Sequence, residues 1–223
     1  MNISKYIDHT LLKSTTSERD IINLCSEAKK HQFYSVCVNS CYVALSKQLL
    51  ERSDVKICAV VGFPLGAMSS EAKAFDAKKA IQEGANEIDM VINLGYLKSK
   101  NYVAVFKDIS DVKSAIGRTP LKVILEISEL SKNEIIKACE VCLDAKADFI
   151  QTSTGVAKGG TTLTAVKIIK KTVKDTAKIK AFGDINDLET AQKYIDIGVD
   201  RLGSASSIDI VSRSSIRKTI VSV

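Results

Sequence analysis

Eight short, apolar, β-branched runs alternate with stretches of helical spacing from one end of this chain to the other. The runs are YIDHT near the start, FYSVCV (33–38), VKICAVV (55–61), EIDMVIN (87–93), LKVILEI (121–127), DFIQTS (148–153), KIKAFG (178–183) and DRLG (200–203). Between them lie segments such as ERDIINLCSEAKKH, SSEAKAFDAKKAIQEG, NYVAVFKDISDVKSAI, SKNEIIKACEVCLDA, TTLTAVKIIKKTV and NDLETAQKYIDIG, in which apolar residues recur every three or four positions. Glycine follows two of these segments, in GAN and GVD, where a helix end favours a left-handed residue. Runs apolar on both faces require a parallel sheet covered by helices. Eight of them in 223 residues predict an α/β fold, a closed (β/α)8 barrel, in one domain spanning 1–223. The alternative is an open doubly wound sheet of the dinucleotide-binding kind. It would carry G-x-G-x-x-G after the first strand, and nothing there matches.

Charge and composition narrow the function classes. The net charge of +6 comes from lysines scattered among acids, and aromatics make up 5% of residues. Nucleic-acid binding would call for clustered base and stacking platforms, so it is not expected. MNISKYIDHTLLK lacks a basic region followed by a long apolar run, and no segment approaches the ~20 apolar residues of a membrane span, so a soluble cytoplasmic protein is expected. Cys139 and Cys142 have C-x-x-C spacing within a helical pattern, without a second ligand pair nearby. With only His9 and His31 as further partners, the six cysteines read as buried free thiols, and no metal is expected. His9 is read as ordering the first strand end, and His31 as closing a helix where positive charge suits the dipole.

A barrel of this type carries function just beyond the C-terminal ends of its strands. Those ends present Asp8 and Thr10, Cys37 and Asn39, Gly62, Asp89 and Asn93, Glu126, Gln151 with Thr152, Lys180, and Gly203 with Ser204. Asp89 interrupts an apolar strand, so its carboxylate is either ion-paired or functional. Lys180 in KIKAF, if it points inward, is expected to have its pKa lowered by desolvation and so to serve as nucleophile or acid, whereas a one-residue register shift would turn it outward. Cys37 is read as a small buried thiol near the pocket. The late glycine-rich turns TGVAKGGTT, FGD and LGSASS suggest backbone N–H groups facing a substrate phosphate.

IDHTLLK, FYSVCVNS, AVVGFPLGA, EIDMVINLGYLKS, LKVILE, ADFIQTSTG and DRLGSAS together resemble the deoxyribose-phosphate aldolase family, in order, over nearly the whole chain. The resemblance implies a TIM barrel and a class I aldolase. Such an enzyme reversibly cleaves 2-deoxy-D-ribose 5-phosphate to D-glyceraldehyde 3-phosphate and acetaldehyde through a lysine Schiff base, with no metal or other cofactor. The partner it implies is a small aldehyde or sugar phosphate, and a homodimer is a possible assembly. By the same resemblance Asp89 matches the proton-transfer aspartate and Lys180 the second lysine, which lowers the nucleophile's pKa. The substrate-binding positions are Thr10, Cys37, Thr152, Gly155, Val156, Phe182, Gly183, Asp184, Gly203, Ser204 and Ser206.

The Schiff-base lysine belongs in the family's D-F-V-K-T-S-T-G pattern, and here that position is Gln151. A glutamine amide cannot form an iminium. The family's K-A-S-G-G-I-R appears as KAFGDIN, which puts Phe182 in place of serine, Asp184 in place of a glycine beside the phosphate and Asn186 in place of a base. Val156 stands where T-S-T-G-F has an aromatic, and TIVSV lacks the tyrosine on which the family often ends. The departures gather at the ends of the last three strands, while strand patterns and helix stops are intact. Three readings follow: an impaired aldolase in which Lys180 supplies the amine, a catalytically inactive or repurposed paralogue binding a small carbonyl or sugar, and a different enzyme built on Asp89, Glu126, Lys180 and Asp184.

Overall fold

The computed structural model describes residues 2–212, so the terminal TIVSV lies outside the described residues. Strands β1 (Ile7–Leu11), β2 (Ser35–Asn39), β3 (Lys56–Val61), β4 (Glu87–Val91), β5 (Leu121–Ile124), β6 (Phe149–Gln151), β7 (Lys178–Phe182) and β8 (Arg201–Ser204) pair in parallel and in sequence order. β8 returns to β1, which closes the barrel. Helices α1 (Glu18–His31), α2 (Val43–Leu49), α3 (Ser70–Glu83), α4 (Leu94–Lys98), α5 (Tyr102–Ile116), α6 (Lys132–Asp144), α7 (Leu163–Val173) and α8 (Leu188–Asp196) occupy the crossovers. The expected α/β barrel is therefore the observed one.

Local chemistry sets the helix boundaries. Ser17 and Ser131 begin α1 and α6 with reciprocal capping boxes to Asp20 and Glu134, and Ser69, Asn101, Thr162 and Asp187 cap α3, α5, α7 and α8. Gly84 ends α3 at φ 119°, a left-handed conformation that glycine adopts without strain. Gly198 ends α8 as expected, following the C-cap Ile197 with a left-handed φ of 92°.

Alternation along each strand separates two interiors. Val36, Val38, Ile57, Ala59, Ile88, Met90, Val123, Ile179, Ala181 and Leu202 belong to the large apolar core that the helices cover. Their neighbours Cys37, Cys58 and Val60 form a small separate cluster. Asp8, Glu87, Asp89, Lys122, Lys180 and Arg201 occupy further alternate positions and bring charge into the same interior. Asp89 on β4 bonds Lys180 on β7, two strands that do not pair, so the contact crosses the inside of the barrel. Of the six cysteines five are buried as expected, but Cys41 is exposed because it sits in the short 3-10 turn after β2. Among the described residues, no helix is long and apolar enough to cross a membrane.

Candidate active site

Six ionisable side chains fill the barrel interior in two tiers. Glu87, Lys122 and Arg201 sit at the starts of β4, β5 and β8, and Lys122 Nζ lies 2.6 Å from Glu87. The Arg201 guanidinium stacks 3.2 Å above the Tyr34 ring, and Phe149 lies 5.7 Å from it and 5.8 Å from Lys122 Nζ. Cations over aromatic faces gain from the ring quadrupole, which helps to close this floor. Asp8, Asp89 and Lys180 form the next tier. Lys180 Nζ is 2.8 Å from Asp8 and 2.6 Å from Asp89, while Lys122 takes the other Asp89 oxygen at 2.8 Å. Arg201 holds the second Asp8 oxygen at 3.0 Å, and the Ser35 hydroxyl donates to that same oxygen.

Three carboxylates thus face three cations, all buried. Burial alone would raise the carboxyl pKa values, but Lys180, Arg201 and Lys122 outweigh it at Asp8, and Lys122 and Lys180 outweigh it at Asp89, so both are held below the usual range. Burial pulls Lys180 down, yet Asp8 and Asp89 together push it above an ordinary lysine. The sequence expectation of a lowered Lys180 pKa is therefore overturned. Desolvation was the only influence visible in the sequence, and two carboxylates within 2.8 Å reverse its sign. Lys122 is likewise held cationic, burial opposing and Asp89 leading the charges that win.

The other candidates distribute around this interior. Cys37 Sγ lies 3.8 Å from Asp89, and Lys122 Nζ reaches Cys58 Sγ at 3.3 Å. Burial, followed by the Cys37 contact and the Asp89 charge, pushes the Cys58 thiol well up, so it is inert. Cys37, Cys58 and Asp89 are close enough to share a cation, but the two lysines already take both Asp89 oxygens. Thr10 gives its hydroxyl to the Asp8 carbonyl. His9 bonds Glu27 at 2.8 Å, and burial keeps the imidazole pKa below its usual value, in line with an ordering role.

Gln151 is the last residue of β6 and pairs in register with Lys180. Its Nε2 donates to the Ser153 carbonyl at 3.1 Å, and its Oε1 is buried with no partner among the described residues. Glu126 accepts from the Thr154 N–H and hydroxyl, leaving its other oxygen buried and unpartnered. Thr152 exchanges hydrogen bonds with the backbone of Phe182. A Cβ on Gly155 or Gly203 would run into the Phe182 ring, and one on Gly160 into the Asp184 carboxylate and the Gly183 backbone. Ser204 donates to the Ile185 carbonyl and accepts from the Ser206 N–H, while Val156 is exposed.

Lys122, Glu87 and Arg201 were not singled out from sequence. The available signal was a charge at the start of an otherwise apolar strand, which reads equally well as an exposed strand end.

The match to known proteins agrees with this architecture. Residues 3–191 fit the DeoC/LacD family aldolase pattern. The chain is 52% identical over 211 residues to the deoxyribose-phosphate aldolase of Finegoldia magna, covering 95% of this chain and 99% of that one. It is similar to the solved structure of QR15, an aldolase, with a TM-score of 0.95 and 40% identity over 99% of each chain. It is also similar to the tetrameric deoxyribose phosphate aldolase from Aeropyrum pernix, with a TM-score of 0.87 and 29% identity over 96% of this chain and 91% of that one. With an interior of paired carboxylates and lysines, a closed eight-stranded barrel and a family match over most of its length, this chain belongs to the DeoC/LacD family of aldolases.

Proposed function

We propose that this protein is a deoxyribose-phosphate aldolase-like lyase whose reversible cleavage of 2-deoxy-D-ribose 5-phosphate is impaired, because no amine in the barrel is poised to form the Schiff base. The reading of Gln151 as the residue at the nucleophile's position rests on the resemblance of ADFIQTSTG. The observation that carries the proposal is the double clamp on Lys180: an ammonium held at 2.8 Å by Asp8 and 2.6 Å by Asp89 has no lone pair to offer a carbonyl. Asp89 remains at the centre of the interior, where with a water it would move protons during carbon–carbon cleavage. The test is incubation with acetaldehyde, borohydride reduction and peptide mass spectrometry. The expected result near neutral pH is no adduct on Lys180, and efficient labelling there would overturn the reading.

A second reading, a non-catalytic paralogue that binds a small carbonyl or sugar, draws support from the unpartnered buried oxygens of Gln151 and Glu126. Self-association also belongs to the proposal. Glu71 lies near Lys107. The neighbouring helices α3 and α5 expose Phe75, Val103 and Phe106, apolar side chains that a second copy of the chain could cover. Sedimentation velocity is expected to show an oligomer that Phe75→Glu weakens, and a monomeric parent protein would remove this part of the proposal.

A further inference from the structure

The loops after β6, β7 and β8, where the sequence suggests a phosphate cradle, are poorly made for an anion. The Phe182 ring lies against both Gly155 and Gly203 and so fills the space that their missing side chains leave. Asp184 sets a carboxylate against Gly160. Five backbone N–H groups around these turns are already engaged within the protein. Phe182 N–H donates to Thr152 Oγ1, Thr161 N–H to the Gly183 carbonyl, Thr154 N–H to Glu126, Val156 N–H to Thr154 Oγ1 and Ser206 N–H to Ser204 Oγ.

The buried side-chain atoms left without a partner include two pure acceptors. Glu126 Oε1 and Gln151 Oε1 are buried and unpartnered among the described residues, as are the Ser153 and Thr161 hydroxyls. A carboxylate and an amide oxygen accept hydrogen bonds and cannot donate them. Buried acceptors of this kind are satisfied by hydroxyl groups and repel phosphate oxygens.

We infer that the substrate of this site is an unphosphorylated hydroxyaldehyde of the 2-deoxyaldose class. Its hydroxyl groups donate to Glu126, Gln151 and Asp184, and its chain packs against the Phe182 ring. This deepens the proposed aldolase-like reading and rests on it for the carbonyl chemistry, but it concerns binding and needs no iminium.

Binding is therefore the test, with amide shifts of the isotope-labelled full chain followed by NMR. Wild type titrated with 2-deoxy-D-ribose is expected to show saturable shifts around Gly155, Gly160 and Gly203, and inorganic phosphate at equal concentration none. Phe182→Ser with Asp184→Gly opens the cradle and removes the facing charge, and is expected to tighten phosphate by about tenfold or more. Should that double variant fail to fold, Asp184→Gly alone carries the test, since residue 184 has φ 59°, which glycine accepts readily. Wild type that prefers phosphate, wild type that binds neither probe, or a folded variant without gained phosphate affinity overturns the inference. Borohydride labelling of Lys180 would instead count only against the impaired Schiff-base chemistry, so the two failures are separable.

Discussion

Gln151→Lys is expected to create a borohydride-trappable acetaldehyde adduct at residue 151 where the parent protein forms none. The interior is balanced, with Asp8, Glu87 and Asp89 facing Lys122, Lys180 and Arg201. A fourth cation among these six groups would leave a net buried charge. Its neighbour in register is Lys180, itself cationic, so both burial and like charge push the new lysine's pKa down. An ordinary lysine is neutral in only about one molecule in 10³ near pH 7, and each unit of depression raises that fraction about tenfold. The neutral amine attacks the carbonyl, water leaves, and the iminium accepts the electron pair of the breaking carbon–carbon bond. Cleavage activity is expected to rise by on the order of 10²-fold or more. The gain should be larger on 2-deoxy-D-ribose than on its 5-phosphate, because Phe182 and Asp184 remain in place. A folded Gln151→Lys protein with no adduct at 151 would show that the end of β6 does not face the reacting carbonyl.

Much of the barrel was legible because its strands are buried on both faces and its helices on one, two patterns that sequence keeps apart. ERDIINLCSEAKKH coincides with α1, and each of the eight apolar runs covers its strand to within one residue at the carboxyl end. The errors fall at the carboxyl ends. EIDMVIN reads as strand through Asn93, yet β4 stops at Val91 and Asn93 instead caps α4. Composition is no guide there, since loop-lining residues in a covered barrel are as apolar as strand residues. The short helices α2 and α4 have too few turns for a periodic signal.

The candidate site was legible one residue at a time and not as a set. Asp89 and Lys180 stand out as charges within apolar runs, but their contact joins positions 91 residues apart. No local pattern encodes that pairing, nor the approach of Lys122 to the far side of the same carboxylate. The missing geometry is what reversed the sign for Lys180. A lone buried lysine is easily deprotonated, whereas one between two carboxylates is not. The ring of Phe182 over Gly155 and Gly203 is another such case, since both the aromatic and the glycines are visible in the sequence but their contact is not.

Asp89→Asn tests the charge balance directly. The substitution keeps the shape of the side chain but removes one of three interior negative charges. Breaking a buried ion pair from one side typically costs about 3–5 kcal/mol, and here the lost partner served two cations. The pH dependence should change along with the size of the effect. In the parent protein Lys180 is raised above its ordinary value of 10.5, so its contribution is fully present below that pH and lost only as pH rises through the folded value. Asp8 and Asp89 are depressed from 3.8, so theirs is present above that value and lost as pH falls through the folded one. Parent stability against urea should therefore be level with respect to these groups from about pH 5 to 9. In Asp89→Asn the excess positive charge is relieved by a lysine losing its proton, which places that folded pKa below the unfolded one. The unfolded chain then binds more protons, and stability rises with pH across the same range, by about 1.4 kcal/mol for each unit of depression. The neutral amine so produced should also allow acetaldehyde to be trapped on Lys180, which the parent resists. A variant as stable as the parent, with a level pH profile and no adduct, would mean that the six charges are not coupled as their distances imply.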